Sequence, residues 1–185
     1  MKTTFILAMA LTVVAFTTIT KKEINIQEST IQWTGEKIIG DAHLGTLSFK
    51  EGHLEMEGDQ LIGGSFMVDM TSINVTDMEG EYKGKLEGHL KSDDFFGVAD
   101  HPTATLVINS AKKYAEGYHV NGDITIKGAT RPIDFDLKMG DGPVSASIEI
   151  DRTKFDVRYG SGSFFDNLGD NAISDTFTLD VTLKF

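Results

Sequence analysis

The chain has 185 residues, no cysteine, and 17 basic against 28 acidic side chains, a formal net charge of −11. That length suits one domain with a substantial core. The missing thiols exclude disulfides, thiolate metal sites and a cysteine nucleophile, and the negative charge disfavours nucleic acid and anionic membrane surfaces as partners.

In chain order, Met1-Lys2 is a short basic start, followed by an apolar run from Phe5 to Phe16 broken only by Thr12. The run is too short to cross a bilayer with ease and has the form of a signal-peptide core. Residues 1–20 therefore read as a secretory signal peptide, with Ala15 and Thr17 at the −3 and −1 positions. Residues 21–185 read as the mature domain, soluble, periplasmic or secreted, without a stable membrane anchor. The other reading of the run is a buried first strand or helix.

Strands follow: Glu23 to Gln27, Thr30 to Ile38, Leu44 to Phe49, His53 to Glu57, Gln60 to Met70 and Thr103 to Asn109, with Gly63-Gly64 marking a bulge. Asp77 to Lys91 breaks the rhythm. Asp77 is a candidate cap, and Tyr82, Leu86 and Leu90 share one helical face that should lie on the barrel. Glu79–Lys83, Glu81–Lys85 and Glu87–Lys91 are i,i+4 pairs, each contributing about 0.2–0.5 kcal/mol. Gly80, Gly84 and Gly88 on the opposite face each cost about 1 kcal/mol relative to alanine, so this helix should need tertiary support.

The second half alternates cleanly. Tyr118, Val120, Ile124 and Ile126 are separated by polar residues, as are Ile133, Phe135, Leu137 and Met139. Val144, Ala146, Ile148 and Ile150, and then Phe177, Leu179, Val181, Leu183 and Phe185, repeat the pattern. Period two with one apolar face belongs to a sheet wetted on one side. Short turns between the runs require antiparallel neighbours. The expected fold is mainly β: about eight or more antiparallel strands, enough to close a β-barrel, with one short inserted helix.

Catalytic and metal motifs are weak. Ser161 sits in Gly160-Ser161-Gly162 without a G-x-S-x-G frame, and reads as a turn. The five histidines (His43, His53, His89, His101, His119) lack ligand spacing, so no metal site is assigned. Asp93-Asp94 read as solvated residues before a buried Phe95-Phe96, and Asp166 to Asn171 as an Asn/Asp/Gly turn. No cofactor or catalytic residue is assigned. Arg152 and Arg158 are either carboxylate partners at the surface or, by their forked donors, contacts for an anionic headgroup at the barrel mouth.

Several stretches resemble the YceI-like family of secreted lipid- or polyisoprenoid-binding proteins. They are HLKSDDFFGVADHPTATL (His89 to Leu106), GDITIKGATRPIDF (Gly122 to Phe135), IDRTKFDVRYGSG (Ile150 to Gly162) and ISDTFTLDVTL (Ile173 to Leu183). WTGEKIIGDAHLGTLSF is a looser match, and the similarity runs from about Ile24 to Phe185. The resemblance implies a single elongated, lipocalin-like, eight-stranded antiparallel β-barrel partly covered by a helix, its apolar interior holding a polyisoprenoid, a quinone or another lipid. It makes Leu86, Leu90, Phe95, Phe96, Leu106, Ile108, Ile124, Ile126, Ile133, Phe135, Ile148, Ile150, Phe177, Leu179 and Val181 candidate lining residues. These would be core residues of a filled barrel equally well. Three functions therefore stand: an apolar-ligand binder, a filled-core structural or interaction protein, and a small hydrolase or isomerase. Oligomeric state is left open.

Overall fold

The computed structural model describes residues 18–40, 42–140 and 142–185. The expected signal peptide lies almost wholly outside the described residues. Nine strands are present: β1 (Ile19–Glu23), β2 (Thr30–Lys37), β3 (Ala42–Glu57), β4 (Gln60–Val75), β5 (Thr103–Tyr114), β6 (Gly117–Ile126), β7 (Ala129–Lys138), β8 (Val144–Asp151) and β9 (Ile173–Leu183). Among the described residues a single α-helix, α1 (Gly80–Lys91), lies between β4 and β5. All strand pairs are antiparallel, and β2 through β9 close into an eight-stranded ring by pairing of β2 with β9. β1 stands outside the ring, on the second half of the long β3.

The expected strand from Glu23 to Gln27 is displaced. The chain is extended up to Glu23 and then turns, because the Asn25 side chain accepts from the Gln27 amide (3.1 Å) and the Asn25 carbonyl from the Ser29 amide (2.9 Å). Asparagine competes with the ladder in this way. The Gly63-Gly64 irregularity is present: Glu55 faces Gly63 while Met56 faces Leu61.

The β6 alternation works as the pattern requires. Tyr118, Val120, Ile124 and Ile126 are buried inside. Outside, His119 pairs with Asp136, Asn121 with Asp134, and Asn109 donates to Asp123 (2.8 Å). Such cross-strand pairs fix register as well as stability.

The wall is uneven. β7 and β8 share the single ladder position Lys138↔Ser145 before they diverge. A 3₁₀ turn, Arg152–Phe155, follows β8 and packs against β7 with Phe155 buried in the core. Pro132 and the charged residues of β7 suit an incompletely paired edge.

The ring has two different ends. At the floor, short links join β3 to β4, β5 to β6 and β7 to β8. At the mouth stand the β2–β3 link, the 76–102 segment that carries α1, and the 152–172 segment.

Candidate functional site: an apolar cavity under the helix

The barrel is hollow. Its cavity measures ≈ 270 Å³, against the ~10–15 Å³ that one water needs. Phe177, Leu179 and Val181 point inward from β9 yet are only half-buried, since part of their surface faces the hollow.

All the expected lining residues reach the cavity except Ile133 and Ile150. Ile150 is buried in the core beside the 3₁₀ turn, and Ile133 lies on the divergent stretch of β7; both therefore pack outside the hollow. Strands β2 to β4 contribute lining that the alternation did not single out: Ile31, Trp33, Leu47, Phe49, Leu54, Phe66, Val68 and Met70. Trp33, the chain's one tryptophan, lies over Gly45. A Cβ there would come within 2.3 Å of the indole and of the Asn74 carbonyl oxygen, so only glycine admits the ring.

Polar lining gathers at the mouth. Glu36, Lys37, His43, His89, Arg152, Ser174 and Thr176 line that end, whereas the hollow toward the floor is bounded by side chains such as Leu54, Leu137 and Leu183. Trp33 Nε1 and His89 Nε2 are buried without a hydrogen-bond partner among the described residues.

The helix closing the mouth differs from expectation in its start and its face. It begins at Gly80, whose φ of +67° favours glycine, and Asp77 does not cap it. Asp77 instead accepts from His43 Nδ1 (2.9 Å) and the Leu44 amide (3.0 Å), tying the approach to the helix onto β3. Burial would raise its carboxyl pKa, but these hydrogen bonds outweigh that and hold it below the usual carboxylate value. Tyr82 points into solvent, 77% exposed. The inner face includes half-buried Lys83, Leu86, Glu87, His89 and Leu90. Two polar ties set this rotation: Glu87 accepts from the Val75 amide (2.9 Å), and Lys83 donates to Asn74 Oδ1 (2.9 Å). The Glu81–Lys85 pair forms at 2.7 Å, while Lys83 pairs with Glu87. Gly84 and Gly88 face open space, as the opposite-face reading requires.

The arginines part company. Arg158 is outside the cavity lining, paired with Asp156 (2.8 Å) and stacked over Phe164. Arg152 lines the cavity but is 2% exposed, so it is no surface residue. It donates to the carbonyls of Ser174 (2.8 Å), Val157 (2.8 Å), Tyr159 (2.9 Å) and Ile173 (3.1 Å), with Asp175 at 3.8 Å. Most of its five N–H groups are thus committed to backbone, which leaves Arg152 no free fork for a headgroup, while Arg158 stands outside the cavity. Burial lowers the Arg152 pKa against the opposing charges of Asp175 and Asp151. Asp175 is held low, since the Ser161 and Ser163 hydroxyls and Arg152 outweigh its burial.

Ser161 is fully buried and lies outside the cavity lining. Its carbonyl accepts from the amides of Phe164 (3.1 Å) and Phe165 (3.0 Å), which makes it the pivot of its loop. Asp93 and Asp94 face solvent before the buried Phe95, and residues 166–171 form an exposed turn.

With this geometry, the comparison with known proteins is decisive at the level of family: the YceI-like domain model matches residues 23–185. The chain belongs to the YceI-like family. Among relatives, a UPF0312 protein of Pectobacterium carotovorum is 40% identical over 58 residues, 30% of each chain. Protein YceI of Escherichia coli O157:H7 is 33% identical over 75 residues, 39% of each chain. These matches thus span about a third of the curated relatives' length. Among solved structures, BcnA of Burkholderia cenocepacia superposes with a TM-score of 0.70 at 17% identity, over 86% of this chain and 98% of BcnA. A polyisoprenoid binding domain from Saccharophagus degradans gives 0.60 at 17% identity, over 91% of this chain and 97% of that domain. At such identities the superpositions establish the YceI-like fold and leave the ligand to chemistry.

Proposed function

We propose that this YceI-like protein is a noncatalytic carrier that holds an apolar, chain-like molecule in its barrel, a polyisoprenoid, quinone or other lipid. The observation that carries the reading is a hollow whose inner wall is apolar and whose polar residues collect at one end. A ligand with one polar terminus would enter tail first, its head left among Glu36, Lys37, His43 and Thr176. Each buried methylene contributes about 0.8 kcal/mol, so a long tail needs few polar contacts. The name of the Saccharophagus domain supports the choice of ligand class. The filled-core alternative is disfavoured by the cavity itself. Export to the periplasm or beyond is part of the proposal, and rests on the basic start and apolar run of residues 1–16.

Mass spectrometry of an organic extract from natively expressed protein should find a long-chain lipid, and N-terminal sequencing should start near residues 18–21. Trp33 lines the cavity, so a graded series of isoprenoids should change its fluorescence and raise the melting temperature. Ile126→Trp should shorten the longest chain retained, provided that it folds normally. A native protein without extractable lipid, indifferent to the whole isoprenoid series, would end the carrier reading.

A further inference from the structure

Among the described residues, most large apolar side chains exposed to solvent stand at the mouth, while Ile19, Ile26, Val107 and Phe185 lie elsewhere. Ile38 and Ile39 form the tip of the β2–β3 link, Tyr82 stands on α1, and Tyr159, Phe164 and Phe165 project from the segment after the 3₁₀ turn. Each is close to half exposed or more. They belong to one continuous rim. The Ile38 amide donates to the Ala172 carbonyl (2.9 Å), which joins the β2–β3 tip to the end of the 152–172 segment. The Tyr159 ring lies 4.4 Å from that of His89, which joins the same segment to α1. Isolated exposed apolar residues need no explanation, but a rim of them around a cavity opening does.

The charge on this rim identifies its occupant. Each apolar tip carries a cation: Lys37 precedes Ile38, Arg158 lies over the Phe164 ring (4.7 Å), and Lys85 over the Tyr82 ring (5.7 Å). The rim also carries the opposite sign, with Glu81 on Lys85 (2.7 Å), Asp156 on Arg158 (2.8 Å), and Glu36 and Asp170 beside Lys37 around the β2–β3 tip. Alternating signs at the roots of apolar tips match a headgroup layer in which phosphate and ammonium coexist. They do not match a purely anionic one, which the net charge of −11 repels. Aromatic rings with a polar or cationic neighbour suit the interfacial layer of a bilayer.

We propose that the mouth docks reversibly on a zwitterionic phospholipid bilayer, with the Ile38-Ile39 and Phe164-Phe165 tips entering the interface while α1 lies against it. The inference rests on the carrier reading, because it puts the cavity opening where a bilayer-soluble chain resides. No helix of the described residues is long and apolar enough to cross a membrane.

The absence of cysteine permits a site-resolved test. Single variants Ile39→Cys and Phe165→Cys, labelled with an environment-sensitive dye, should brighten by about twofold or more and shift to the blue with phosphatidylcholine vesicles. Phe185→Cys at the floor and Val107→Cys on the wall should not respond, and phosphatidylglycerol in the vesicles should weaken the response. Replacing Ile39, Phe164 and Phe165 together by serine should reduce vesicle partition by at least about tenfold. The triple variant should still bind a short isoprenoid alcohol by Trp33 fluorescence, which separates failure of docking from failure of the carrier reading. Silent rim labels, or an equal response at the floor, would overturn the proposal. So would a rim response that follows protein concentration without vesicles, which would reveal a second copy as the occupant.

Discussion

At the floor of the barrel, Leu54 and Leu61 are fully buried, Leu183 nearly so, and short links hold the strands together. At the mouth, α1 buries no residue fully; it is held through half-buried Leu86 and Leu90 and by side-chain ties from Asp77, Lys83 and Glu87. The floor is thus stabilised by apolar contact, whereas at the mouth a smaller apolar cluster of Met70, Ile73 and Val98 is supplemented by a few directed hydrogen bonds that hold α1. Apolar packing tolerates no opening without loss of contact. Directed ties can break and re-form singly, which suits the end through which a ligand passes.

Substitutions at four positions separate the two regimes. Arg152→Ala should have the largest effect, about 3–5 kcal/mol in urea unfolding, because it strands four carbonyls that the guanidinium now satisfies. Arg152→Lys should recover little, since an ammonium lacks the fork. Hydrogen exchange should rise first in residues 153–175; uniform loosening of the whole barrel would break the comparison. At the floor, Leu61→Ala should cost about 2–5 kcal/mol while lipid retention persists, because Leu61 does not line the cavity.

Smaller effects are expected on the helix. Gly84→Ala should raise stability by up to about 1 kcal/mol, since a Cβ there meets nothing. A fall in melting temperature would mean that this face is covered in solution. Asp77 gives a pH signature. Its folded pKa lies below the ordinary 3.8, so its contribution is present above that value and disappears as pH falls through the lower folded value. Asp77→Asn should lose under about 1 kcal/mol near neutrality, as befits a tie near the surface. Its stability should also fall less than that of the natural protein on going from pH 5 to pH 3.

The strands from β6 to β9 were legible because apolar and polar residues alternate along each of them, with no register shift between β6 and β7 or between β8 and β9. Over β3 and β4 the phase slips, with register shifts between Thr46 and Ser48, Phe49 and Glu51, and Glu55 and Met56. Each shift turns the next residues to the other face, which hid Phe49, Phe66 and Met70 from a reading by period. The helix was legible as a helix, but its rotation was not. Tyr82 is the more apolar choice, yet the Val75 amide and the Asn74 side chain bring Glu87 and Lys83 inward. Arg152 was legible only as a charge. Its partners are backbone carbonyls, which every sequence supplies and none advertises.

The pairing of β2 with β9 joins residues 30–37 to residues 173–182. Until those late residues are available, the ring is an open, curved sheet whose greasy concave side is in water. Contacts of such sequence separation are slow to form, because most of the chain's conformational freedom must be lost before they reward it. Commitment to the native state is therefore concentrated in one late docking event, and an interrupted chain exposes an aggregation-prone trough. A holdase that masks this trough should raise the yield of refolding far more than a catalyst of thiol chemistry, since the chain has no cysteine.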